Sequence, residues 1–167
     1  MKRNFWSAFM ALSVFVFLGC SASSRKDVVD YEPGMVAPAT RVQMIDGSME
    51  LLDEYRSKKV ALLFWATDCT MSKSAIKELN EKAREYSYRD DLEFIAISID
   101  EDRDMLEGRI ARDNLSSVRH GFSGNGVYDE SYLRYGLDQI PTFFLLNEKG
   151  VILARDNEVD LSVLTER

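Results

Sequence analysis

Histidine occurs once in the 167 residues, cysteine twice and proline three times. A single histidine, His120, excludes a metal centre built on a histidine cluster, and there is no Ser-His-Asp set. Two cysteines, Cys20 and Cys69, exclude the multi-bridge framework of small secreted domains. Positive charge is also scarce: 21 Lys and Arg face 28 Asp and Glu, for a formal net charge of -7. That balance excludes nucleic acid as a partner, because a phosphate backbone demands a basic face. No glycine-rich phosphate loop, internal repeat or low-complexity block is present. No apolar run reaches the roughly 20 residues of a spanning helix.

The longest apolar stretch, Phe5 to Gly19, follows the basic start Lys2-Arg3 and has the length and flanks of an export signal. It ends in Phe17-Leu18-Gly19-Cys20, which resembles a bacterial lipobox, with Phe17 in place of the usual aliphatic residue. The organisation expected from this is a lipoprotein signal peptide over 1–19, a tether over 20–33 and one domain over 34–167. Cys20 would carry the lipid; an ordinary cleaved signal with an incidental cysteine is the alternative. Loss of Lys2 and Arg3 with the leader takes the net charge from -7 to -9, so the membrane attachment expected is through the lipid and not through charge. Ser21 to Lys26 is small and polar, as a flexible tether should be. The expected location is the bacterial cell envelope, facing the periplasm. Cys69 then stands unpaired in an oxidising compartment, where stray thiols tend to be oxidised or used.

Within the domain, Arg41 to Ile45 alternates as a strand before the turn Asp46-Gly47. Val60 to Trp65 is continuously apolar, as in a strand buried on both faces. Ile76, Leu79, Ala83 and Tyr86 recur at helical spacing over 72–86. A second buried strand is expected over 92–99, then a helix over 103–113 with Met105, Leu106 and Ile110 inward. Asp100-Glu101-Asp102 reads as a solvated strand end. Asp129 to Tyr135 is a short helix, with Tyr128, Tyr132 and Tyr135 as packing residues. Phe143 to Leu146 and Val151 to Ala154 form a hairpin, and 160–167 a closing helix with Leu161 and Leu164 inward. The sum is an α/β fold, a central mixed β-sheet with helices on both faces.

Phe64-Trp65-Ala66-Thr67 before Cys69, Phe94 to Asp100, and Ile140-Pro141-Thr142-Phe143 with Lys149-Gly150 stand in an order and spacing that resembles the thioredoxin-like family. The similarity is to its TlpA/ResA (AhpC/TSA-like) envelope branch and runs from about Gly34 to Arg155. It implies a thioredoxin-like fold, a nucleophilic Cys69 at a helix start, and thiol-disulfide exchange with cysteine-bearing proteins or peptides. It implies a cis Ile140-Pro141 bond beside that cysteine, with Trp65, Ile140, Pro141 and Thr142 around the substrate. A trans proline that merely starts a strand is the alternative. No cofactor is implied.

Several positions depart from the family pattern. The second cysteine of Cys-x-x-Cys is Ser72, a proton-transferring Glu is Ala75, a helix-kinking Pro is Lys77, and the buried Asp of ordinary thioredoxins is Leu63. Cys69 and Ser72 are the expected catalytic pair, the serine hydroxyl and the helix N-terminus favouring the thiolate. Lys73 would assist and Asp68 oppose. Without a resolving thiol, turnover needs the client's own second cysteine or an external thiol reductant. The rival reading is a redox-inactive module that binds peptides beside Pro141. A peroxidatic thiol, and a copper site from Cys69, Met71 and His120, are weaker alternatives.

Overall fold

The computed structural model describes residues 29–165; Cys20, the leader and most of the expected tether lie outside them. The chain opens with a small antiparallel pair, β1 (Arg41–Gln43) and β2 (Met49–Leu51), around the Asp46-Gly47 turn. Asp46 tightens the turn by accepting from the Ser48 amide at 2.9 Å. Then come β3 (Lys59–Trp65), α1 (Thr70–Glu85), β4 (Leu92–Ser98), α2 (Arg103–Arg112) and β5 (Arg119–Phe122). A short α3 (Glu130–Arg134) and the hairpin β6 (Thr142–Leu146) and β7 (Ile152–Asp156) complete it, with 3-10 turns at Leu52–Tyr55, Gly126–Tyr128 and Leu161–Leu164.

Five strands form one sheet in the order β5-β4-β3-β6-β7. β3, β4 and β5 are parallel, β6 runs against them, and β7, antiparallel to β6, returns to their direction. β3 lies at the centre, which is why its side chains are apolar without alternation. Ala61, Leu63 and Trp65 point to one face, where they meet Ile76 and Leu79 of α1, Leu106 of α2, and Leu161 and Leu164. Val60, Leu62 and Phe64 point to the other, against Tyr132, Tyr135, Phe144 and the β1 residue Val42. Tyr135, Phe64 and Phe144 form an aromatic cluster with centroid separations of 4.8 to 6.2 Å. The mixed sheet covered on both faces is the α/β architecture expected.

Four details differ from expectation. β5 has no apolar period and contains Gly121, both unfavourable for a strand. It forms because β1 packs over it: a Cβ at Gly121 would lie 2.6 Å from Val42 Cγ1, so only glycine admits the contact. Met105 is exposed, since Leu106 and the partly buried Ile110 already define the inner stripe of α2, with Met105 rotated off it. Tyr128 is 78% exposed because it lies in a 3-10 turn before α3 and not on that helix. The closing helix is only the Leu161–Leu164 turn, although both leucines are buried as expected.

His120 sits on β5 with its Nε2 at 2.7 Å from the Leu115 carbonyl, and its ring lies 6.4 Å from that of Trp65. Burial holds its pKa below 6.5. It is a core histidine with one nitrogen bound to the backbone.

Candidate active site

β3 ends at Trp65, and four residues later Cys69 caps the N-terminus of α1. Its sulfur accepts from the Ser72 amide at 3.4 Å. A sulfur in that place meets backbone N–H groups that have no partner inside the helix. Cys69 is the free cysteine of the described residues and is partly exposed. Its pKa is lowered: burial pushes it up, but the Ser72 hydroxyl and the amides of Ser72 and Met71 outweigh that. The Asp68 carboxylate opposes them, as expected. The Ser72 hydroxyl is fully buried and has no hydrogen-bond partner of normal geometry, so it acts on the sulfur as a nearby dipole.

The Ile140-Pro141 peptide is cis, and the Ile140 carbonyl lies 3.9 Å from the Cys69 sulfur. The loop is fixed from below, because Thr142 opens β6 opposite Phe64 and its hydroxyl donates to the Gln139 carbonyl at 2.9 Å. The structure thus brings Cys69, Ser72, Ile140 and Pro141 together. Trp65 and Thr142 are 0% and 3% exposed. Both side chains therefore pack beneath the site. Leu63 and Ala75 are core residues, with no carboxylate in the place of either.

One contributor was hidden in the acidic run. Asp100 is not a solvated strand end: it is buried, and its carboxyl oxygens accept from the Thr67 amide at 3.1 Å, the Thr67 hydroxyl at 2.8 Å and the Ser98 hydroxyl at 2.6 Å. Asp100 therefore ties the end of β4 to the segment that carries Cys69. The available signal was polar: Thr67 and Ser98 end two adjacent apolar strands, and buried hydroxyls need partners. Asp102 has a separate task, capping α2 through the Met105 amide at 3.0 Å.

The thioredoxin-like family model matches residues 57–152, more than half of the chain. The chain belongs to the thioredoxin-like family. Among solved structures, a thiol-disulfide oxidoreductase from Bacteroides fragilis is 29% identical with a TM-score of 0.68, covering 78% of this chain and 95% of its own. The C-terminal domain of a provisionally assigned thiol-disulfide oxidoreductase from Bacteroides thetaiotaomicron is 26% identical with a TM-score of 0.70, covering 78% and 90%. A thiol:disulfide interchange protein from a Bacteroides species, 20% identical with a TM-score of 0.68 over 82% and 88%, shares the fold. No curated protein matches the chain. This thioredoxin-like chain thus has the fold of thiol-disulfide oxidoreductases with a Cys69-Thr70-Met71-Ser72 motif at the helix start.

Proposed function

We propose that the protein is a single-cysteine thiol-disulfide exchanger of the bacterial envelope. The observation that carries this is the pairing of Cys69, its pKa lowered at the start of α1, with the cis-proline loop 3.9 Å away. The Cys69 thiolate attacks one sulfur of a client disulfide. That S–S bond breaks, the client's other sulfur leaves as a thiolate, and a Cys69–client disulfide forms. The Ile140 backbone is placed to align an extended client as an added strand. Ser72 cannot resolve the intermediate, because a hydroxyl cannot take the place of a thiol in disulfide exchange. Resolution falls to the client's second thiolate, which regenerates Cys69 and leaves the client isomerised, or to an external thiol. The chain is delivered and held by the segment 1–33, with 1–19 removed as the signal, Cys20 lipidated and the domain 34–167 facing the periplasm.

The activity expected is isomerisation without net reduction. Scrambled ribonuclease in a glutathione buffer should regain activity faster with the protein than without it, by about tenfold. Insulin should stay soluble over the same period. Cys69→Ser should lose the acceleration. A wild-type protein that leaves scrambled ribonuclease unaffected, yet binds unfolded clients as well as Cys69→Ser does, would support the redox-inactive binding module instead.

A further inference from the structure

Two cavities border the cis-proline loop that approaches Cys69, one lined by Pro141 and the other by Ile140. One, of about 450 Å³, has Met71 and Pro141 on its wall and reaches the segment after β7. The other, of about 460 Å³, has Asp68 and Ile140 on its wall and reaches the start of α2. Apolar side chains stand among the lining of each: Met71, Ala75, Phe143 and Val159 in the first, Ala66, Ile99 and Met105 in the second. Their charges have one sign. Glu78, Glu158 and Asp160 line the first, and Asp68, Asp100, Glu101 and Asp102 the second, while neither contains a lysine or arginine.

Few of these carboxylates have a cation near them; Lys82, itself paired with Glu85, is the one whose charge reaches Glu78 and Asp160. Elsewhere the acidic side chains are often neutralised locally, as in Arg119–Glu50, Lys58–Glu93, Lys77–Asp113 and Arg155–Asp30. None of the seven groove carboxylates is in an ion pair among the described residues. Arg103, next in sequence to Asp102, is drawn away to the Ile45 carbonyl, to Glu107 and over the Phe122 ring. The nucleophile therefore lies close to two clefts lined by carboxylates, with apolar side chains among them. Such a field concentrates cations and repels anions, most strongly where low-dielectric walls focus it.

From this we infer that the client is a basic segment: an extended peptide with lysine or arginine on both sides of its reactive cysteine. The inference rests on the exchange reading above and adds the charge of the substrate. A residue rise of roughly 3.4 Å puts flanking side chains on both sides of the sulfur, within reach of the two clefts. The aliphatic stems of lysine and arginine suit the apolar side chains in the clefts while their heads meet the carboxylates.

The test uses short peptides whose single cysteine is joined to thionitrobenzoate through a disulfide, flanked by two lysines, two glutamines or two glutamates. The Cys69 thiolate attacks the peptide sulfur, the S–S bond breaks, and thionitrobenzoate departs as a coloured thiolate. The leaving group is the same throughout, so its own charge cancels in the rate ratio. At low ionic strength the lysine peptide should react about tenfold faster than the glutamate peptide, and the gap should close in 1 M salt. The triple variant Glu78→Gln, Glu101→Gln, Glu158→Gln should lose most of that ratio. A control neutralising the exposed Glu81, Asp90 and Glu148 to their amides, at equal net charge, should keep it. Equal rates for the three peptides, or equal losses in the two triple variants, would overturn the basic-client inference while leaving exchange intact. Failure to react with any of the peptides would instead overturn the exchange reading itself.

Discussion

Ser72→Cys is expected to convert the protein into a dithiol reductant. Position 72 is one helical turn from Cys69, and residues three apart on a helix are neighbours. The Cys69 sulfur already contacts the Ser72 amide at 3.4 Å, so a thiol on the same residue is within bonding reach after a small rotation. The serine hydroxyl it would replace has no hydrogen bond to lose. The variant should lose two titratable thiols on mild oxidation and then precipitate insulin in the presence of a small-molecule reductant, at a rate at least about a hundredfold above wild type, since an intramolecular thiol acts at millimolar or higher effective concentration. Ser72→Ala should gain neither property. An engineered pair that keeps both thiols free under these conditions would show that the helix does not present residues 69 and 72 as described.

Asp100→Ala should be the most damaging single change near the site that leaves Cys69 in place. It removes the acceptor for the Thr67 amide, the Thr67 hydroxyl and the Ser98 hydroxyl, all of them buried. A buried donor left without a partner costs about 1–3 kcal/mol, and water entering at the nearly closed edge offsets part of it, so a loss of about 2–4 kcal/mol is expected in urea unfolding. The same bonds place the segment before Cys69, so the sulfur should also lose its set position over the Ser72 amide. Asp100→Asn keeps an acceptor oxygen for Thr67 and should recover roughly half of the lost stability. Full stability in the alanine variant would mean that the network does not hold the segment.

The parts of this molecule that were legible in its sequence are those where one physical effect dominates. β3 is apolar at nearly every position because it is central and covered twice, and α1 carries its core face as a 3.6-residue stripe. The site was legible for a different reason: Cys69 and Ile140-Pro141 belong to motifs whose order matched a known family, although 71 residues separate the sulfur from the carbonyl it approaches. β5 was not legible because its stability comes from pairing with β4 and from the clearance at Gly121, neither of which leaves a local pattern. Asp100 was misread because a buried carboxyl and a solvated one look identical until their partners are known. Met105 shows the same limit in reverse, an apolar residue at the surface.

The central claim is that Cys69, unaided by a second thiol, is a reactive thiolate. The most direct measurement is the rate of Cys69 alkylation by iodoacetamide against pH, followed by mass, in the wild type and in Ser72→Ala. Burial raises the thiol's pKa, but the Ser72 hydroxyl and the amides of Ser72 and Met71 lower it by more, so the wild-type rate should reach half its plateau below pH 9.0. Below that inflection the thiol is protonated and the rate falls as pH falls. Ser72→Ala removes the hydroxyl but leaves both amides, so its inflection should move to higher pH. An inflection at or above pH 9.0 in the wild type, unmoved by Ser72→Ala, would contradict the account.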